Sequence, residues 1–281
     1  MLLVKGTVIS NKRLLKYASA EYHLLRILAP EIATSCRPGQ FLMVNCGSDM
    51  LLRRPISVHS AKPDSGEIDL LFAVAQSPKP KVNISLHAEE KAVPGAGTRW
   101  LARRIKGDYV EMLGPLGNGF RISDNSNHIL LIAGGIGIAP LQFLAEECIK
   151  RGKGVTLLIG ERDALGIYPA SRLPGKIEYL VATEDGSNGY KGKVTGLIPR
   201  YISSSDQVFA CGPQAMYQAI ARLAKTCKWH DDIQVSLEVR MGCGFGVCYG
   251  CSIKTVQGMK RVCRDGPVFN INDIIWQEVK L

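Results

Sequence analysis

The chain has 281 residues, of which 46% are hydrophobic, and a formal charge of +10. Length and apolar content suit two packed domains and argue against a disordered chain. The lysines and arginines are scattered, so the charge reads as a solvated surface that attracts anionic cofactors and argues against nucleic-acid binding.

No apolar run reaches the roughly 18 residues of a membrane span. The first stretch, Met1 to Leu25, alternates as paired strands do, which is not the pattern of a signal peptide. Outside one C-terminal stretch the cysteines show no paired spacing. A reducing compartment, the cytoplasm, is therefore the expected location.

Residues 1–122 are strand-like, with turns at Pro30, Pro38-Gly39 and Pro63-Asp64, and predict a small antiparallel barrel. Within it, Arg53 and Arg54 precede Pro55, Ile56 and Ser57. Such a run offers a cation to a pyrophosphate and a strand edge to a flavin ring, although a basic pair on an edge strand needs no ligand to explain it. Residues 76–93 interrupt the strand rhythm and read as an insertion. After it, the glycine turn at Gly97 and Thr98 can aim amides at phosphate, and residues 107–120 read as the glycine- and proline-punctuated turn that ends the barrel.

From residue 123 the pattern changes to strand, glycine turn, amphipathic helix and strand, the grammar of a nucleotide-binding α/β domain over 123–230. The turn Gly134, Gly135, Ile136, Gly137 runs into Pro140, which pre-sets a first helical turn whose free N–H groups suit a pyrophosphate. Farther on, Cys211, Gly212 and Pro213 close a strand and open a helix at the sheet's carboxyl edge, where ligands of open α/β sheets sit. Both turns also occur in proteins that bind nothing. Glu161 and Asp163, after the second strand, favour NAD over NADP because a carboxylate repels a 2′-phosphate, while Arg162 between them pulls the other way. No nucleophile-base constellation is visible and the five histidines are dispersed, as suits chemistry carried by cofactors.

The last segment, 231–281, places Cys243, Cys248, Cys251 and Cys263 in a C-x4-C-x2-C-x11-C spacing threaded with glycines. Three thiolates in nine residues with a distant fourth are the plant-type 2Fe-2S pattern. A closed zinc site is the competing use of four thiolates.

In this order RRPIS, GGIGIAP with CGP, and the cysteine stretch resemble the ferredoxin-NAD(P) reductase superfamily. Within it, LLRRPIS, GPLGNGF, DGSNGYKG and SLEVRMGCG with VCRDGPVF resemble the electron-transfer subunits of type B dihydroorotate dehydrogenase. The resemblance implies a ferredoxin-reductase-like architecture, with FAD on Arg54, Pro55, Ile56 and Ser57, on Leu71, Phe72 and Ala73, and on Gly97 and Thr98. It further implies a 2Fe-2S cluster on the four cysteines, NAD as hydride partner, and an FMN flavoprotein partner that oxidises dihydroorotate, two of each chain. Where the family commonly has a basic residue this chain has Ala73, and the 76–93 insertion separates that strand from the Gly-Thr turn. Two other readings stay open: a subunit of an NAD(P)H:ferredoxin or sulfide-type oxidoreductase, and a redox-sensing or zinc-stabilised module without turnover.

Overall fold

Alternating apolar side chains shape the first third of the molecule. In the computed structural model, which describes residues 1–17, 20–48, 50–75, 95–226 and 233–279, six strands close into a barrel in the order β1-β2-β5-β4-β3-β6. They are β1 (Leu2–Lys16), β2 (Ala20–Leu28), β3 (Phe41–Val44), β4 (Arg54–Lys62), β5 (Glu67–Ala75) and β6 (Tyr109–Leu116). Register shifts between Val8 and Ser10 and between Arg13 and Leu15 let β1 bend round the barrel. The inward faces meet in a core that includes Val8, Leu25, Leu42, Val58, Leu70 and Met112, all fully buried.

Two local expectations change. Pro30 opens a short helix, α1 (Pro30–Ser35), where the missing N–H of a first-turn proline costs nothing. Residues 107–120 are largely strand: β6 alternates between buried and less buried side chains and closes the barrel against both β1 and β3. The chain turns only after Leu116. Glycine and proline mark the turn, but the period of two decides the strand. Beyond the insertion, which lies outside the described residues, α2 (Ala96–Ala102) packs Leu101 into the barrel core.

The second half is a parallel sheet. The chain runs through β7 (His128–Gly134), α3 (Ile138–Lys150), β8 (Gly154–Glu161), β9 (Ile177–Thr183), β10 (Tyr190–Lys191), α4 (Ile198–Tyr201), β11 (Gln207–Cys211) and α5 (Gln214–Thr226). The Trp229-His230-Asp231 connection lies outside the described residues. β12 (Ile233–Ser236) follows, then the hairpin β13 (Ser252–Thr255) and β14 (Gly258–Arg261), α6 (Val262–Asp265) and β15 (Val268–Asn270). The order β10-β9-β8-β7-β11-β12-β15 is parallel except for β15. The segment from residue 231 thus lends two strands to the parallel sheet, with the hairpin and cysteine loop inserted between them.

Candidate functional site

From β7 the sheet grows one way through β8 and β9, and from β11 it grows the other way through β12. The crevice at the carboxyl ends of β7 and β11 is therefore the topological switch point, the usual ligand site of an open α/β sheet. Both glycine motifs end there. Added side-chain carbons on Gly134 and Gly137 would strike Pro213 and the backbone of Cys211, and one on Gly212 would strike Met216 and Gly134. These glycines let the two turns pack together. Gly135 takes φ +57° and lies by the Tyr22 hydroxyl and the Glu161 carboxylate, while Pro140 sits buried in the first turn of α3.

Beside this crevice a cavity of about 820 Å³ opens between barrel and sheet. Its barrel wall consists of Arg53 to Ser57 on and before β4, Leu71 to Ala73 on β5, and Thr98 on α2. Ile136 and Ala139 reach it from the turn between β7 and α3, and Ser236 to Met241 close the far side. Gly97 stands behind the wall: an added Cβ would lie 2.9 Å from Arg54 Nε, so glycine is what lets that guanidinium pass.

The two arginines differ. Arg53 is held by Glu111 at 2.5 Å, and that ion pair keeps the Glu111 carboxyl below its usual pKa. Among the described residues Arg54 donates only to the Leu52 carbonyl and the Met50 sulfur. It keeps its charge available to the cavity.

Opposite lies a pair that the sequence reading did not assemble. The Cys211 thiol lies 3.8 Å from Glu238 Oε1. Glu238 is open to solvent because it faces the cavity, yet protein surrounds it, and this burial raises its carboxyl pKa against the bond from Cys211. Burial likewise pushes the Cys211 thiol well up. Tyr217 locks the turn, its hydroxyl accepting from Gly212 N–H at 2.9 Å and donating to the Ser236 carbonyl at 2.6 Å.

Two residues past Met241 the cysteine loop begins. Gly244 at φ +84° and Gly246 at φ +93° turn the backbone around the sulfurs, and added side chains there would run into Met43 and Arg264. Burial works against ionisation of Cys243, but N–H groups of Cys248, Phe245 and Val247 aimed at the sulfur hold its pKa down at about 6. The sulfurs gather in pairs. Cys251 Sγ lies 3.3 Å from Cys263 Sγ, and the Cys248 side chain meets the sulfur of Cys243. Burial and the neighbouring Cys251 raise the Cys263 thiol to about 12. Among the described residues no three side chains converge as they would around a single ion. Two pairs of thiolates within a shell of inward N–H groups are the donor set a two-iron cluster takes, so the residues fit that group.

The segment 238–275 matches the model of the iron-sulfur cluster binding domain of dihydroorotate dehydrogenase B. Across 260 residues the chain is 36% identical to the dihydroorotate dehydrogenase B (NAD(+)) electron transfer subunit of Desulforamulus reducens, covering 89% of this chain and 90% of that one. With the same subunit of Caldanaerobacter subterraneus subsp. tengcongensis it shares 34% over 277 residues, 97% of this chain and 98% of the relative. The chain belongs to this family of electron transfer subunits. Among solved structures, that of the NADH-dependent reduced ferredoxin-NADP oxidoreductase superposes with a TM-score of 0.78 at 26% identity, covering 97% of this chain and 90% of that chain. A ferredoxin-NADP+ reductase from Plasmodium falciparum, at 13% identity, TM-score 0.61, and 84% and 96% coverage, shares the fold.

Set against these electron transfer subunits, the resemblance carried by RRPIS, the glycine turns and the cysteines holds along the chain. The structure brings Arg54, Pro55, Ile56, Ser57, Leu71, Phe72, Ala73 and Thr98 to one cavity. Gly134, Gly135, Gly137, Pro140, Cys211, Gly212 and Pro213 meet beside it at the switch point. Sequence reasoning missed Glu238 to Met241 as cavity wall. The signal was present in SLEVRMGCG, read there only as a lead-in to the cysteines.

Proposed function

We propose that this chain carries electrons from a dihydroorotate-oxidising flavoprotein subunit, through a 2Fe-2S cluster and FAD, to NAD. The observation that carries this reading is one cavity whose three walls are the Arg54 strand, the nucleotide turn and the lead-in to the cysteine loop. When bound, FAD exchanges electron pairs with nicotinamide and single electrons with the cluster.

The residues divide the work. Arg54 offers its charge to the flavin pyrophosphate, β4 and β5 lay backbone and apolar surface along the ring, and the β7 and β11 turns receive the nicotinamide nucleotide. Glu238 lines the cavity next to that crevice, with Cys211 buried behind it. Cys243 with Cys248, and Cys251 with Cys263, would be the thiolate pairs that hold the cluster.

Val247, Tyr249, Val256 and Met259 stand 64 to 65% exposed around the loop and hairpin. This apolar collar is the face we assign to the partner, in a complex of two of each chain in the cytoplasm. Ile253 and Phe269, near them in sequence, are instead buried in the segment's own core.

NAD is preferred over NADP. Asp163 is engaged in accepting from Leu165 N–H, so Glu161, at the end of β8 under the Gly135 turn, carries the discrimination. The ferredoxin-linked reading shares the fold, but the 34 to 36% identities favour the pyrimidine enzyme.

The test is co-expression with the dihydroorotate-oxidising subunit. Co-elution on size exclusion, flavin and cluster bands in the visible spectrum, and dihydroorotate-dependent NAD reduction are expected. A colourless zinc protein, or a stable separate chain that reduces ferredoxin but supports no dihydroorotate oxidation, overturns it.

A further inference from the structure

The nucleotide helix does not merely approach the flavin barrel; it is bolted to one strand of it. Phe143 of α3 inserts into the barrel core. On the same helix face, Glu146 accepts a 2.7 Å hydrogen bond from the Ser60 hydroxyl of β4. Nearer the cavity the contact passes through His59, a residue with 2% exposure that the electron route does not use. Its Nδ1 lies 2.9 Å from the Ala139 carbonyl in the first turn of α3, and its Nε2 lies 2.9 Å from the Tyr168 hydroxyl.

Chemistry fixes the tautomer. A carbonyl only accepts, so Nδ1 carries the proton, and Nε2 of the neutral ring accepts from the Tyr168 hydroxyl. Burial keeps the ring neutral by pushing its pKa down to about 4, against the hydrogen bond to Ala139. Tyr168 is fixed in turn, since its own carbonyl accepts from the Tyr179 hydroxyl at 2.8 Å and its ring meets His59 edge-on.

His59 stands two residues beyond Ser57 on the strand that lines the flavin cavity, and Ala139 lines the same cavity from the other side. We propose that His59, with Tyr168 as its anchor, is a positioning residue that sets the distance between the flavin strand and the nucleotide helix, and so the register of hydride transfer between NADH and FAD. This rests on the assignment of FAD to the cavity. The two reacting rings would be carried by β4 and by the β7–α3 turn, and one imidazole bridges those two elements. An error of about 1 Å in such a register costs on the order of a hundredfold in rate.

The test compares Tyr168→Phe, which deletes only the hydroxyl, with His59→Asn, which keeps a donor near Nδ1, and His59→Phe, which keeps a ring and removes both bonds. Stopped-flow reduction of the bound flavin by NADH gives the rate. Amide hydrogen exchange over residues 138–143 in the nucleotide-free holoprotein gives a readout independent of turnover. The limiting rate is expected to fall in the order His59→Asn, Tyr168→Phe, His59→Phe, reaching on the order of tenfold or more in the last. First-turn exchange should rise in the same order, while flavin content and the apparent Kd for NADH stay within about twofold. Wild-type rates and exchange in Tyr168→Phe and His59→Asn, with flavin still lost on Arg54→Ala, overturn the role of His59 alone. An Arg54→Ala protein that keeps its flavin overturns the cavity assignment and this inference with it.

Discussion

The cavity we assign to the flavin and the cysteine loop are neighbours built by opposite means. Strand ladders and side-chain locks that owe nothing to a ligand form the cavity walls. Asn11 of β1, for example, donates to the carbonyls of Leu101, Ala102 and Arg104, which closes the end of the helix carrying Thr98. The loop from Gly242 to Gly250 has neither strand nor helix, and its amides point inward at a sulfur. The cavity is therefore a property of the fold, whereas the loop takes its interior from the ligands it holds, and its order is tied to what they bind.

The sharpest way to break this contrast is to remove one sulfur. Cys251→Ser and Cys263→Ser, at the buried pair, are expected to leave iron at less than about a tenth of the wild-type content, because a cluster short of a ligand is not retained. Flavin should remain bound in both variants. Iron analysis and the visible spectrum of anaerobically prepared protein check it; loss of flavin in parallel with iron would show that the two sites are one structural unit.

A smaller effect comes from Gly244. Alanine there must adopt φ +84° and push its Cβ into Met43, on the outer side of the barrel. The strain is about 1 to 3 kcal/mol, and it falls on the loop. Gly244→Ala should release iron several times faster under air, with flavin content unchanged. A release rate equal to wild type would mean that the loop yields without cost.

How much of this was legible in the sequence follows the same contrast. Strands announce themselves by alternation, so the barrel, and Arg54 to Ser57 on it, could be read directly. The cysteines could be read because spacing is the chemistry. What could not be read is contact across the chain. Glu238 lies 27 positions from Cys211, and only the parallel pairing of β11 with β12 brings the two ends together. His59 stands 80 positions from Ala139 and looked like one of five scattered histidines. The turn expected over residues 107–120 differs for a local reason, since punctuation by glycine and proline masks the strand period of Tyr109–Leu116 that the barrel closure enforces.

On the cavity side, the two arginines give the next test. Arg54→Ala removes a charge with no ion-pair partner among the described residues, while Arg53→Ala removes one already held by Glu111. A charge-assisted contact is worth about 1.5 to 3 kcal/mol. Arg54→Ala should therefore weaken FAD binding roughly ten- to hundredfold, and Arg53→Ala much less. Flavin content after gel filtration, and FAD titration of the apoprotein, measure the difference. Equal losses would mean that the cavity reads net charge and not a directed guanidinium.

The smallest expected effect tests whether the fold alone sets the interior of the nucleotide side. Burial raises the Glu161 carboxyl from an ordinary value near 4.5 to about 7, only partly offset by the Tyr22 hydroxyl 3.5 Å away. Between those two pH values the folded protein keeps a proton that the unfolded chain has given up, so stability falls as pH rises and the loss is complete above pH 7. Glu161→Gln keeps the shape and cannot ionise. Its melting temperature should match wild type near pH 4.5 and exceed it by a few degrees at pH 8. Thermal unfolding at the two pH values without nucleotide decides the matter. A variant less stable than wild type at pH 8 would mean that the carboxylate is held ionised by partners at the β8 end, and that the Gly135 turn is tuned by charge as the cysteine loop is.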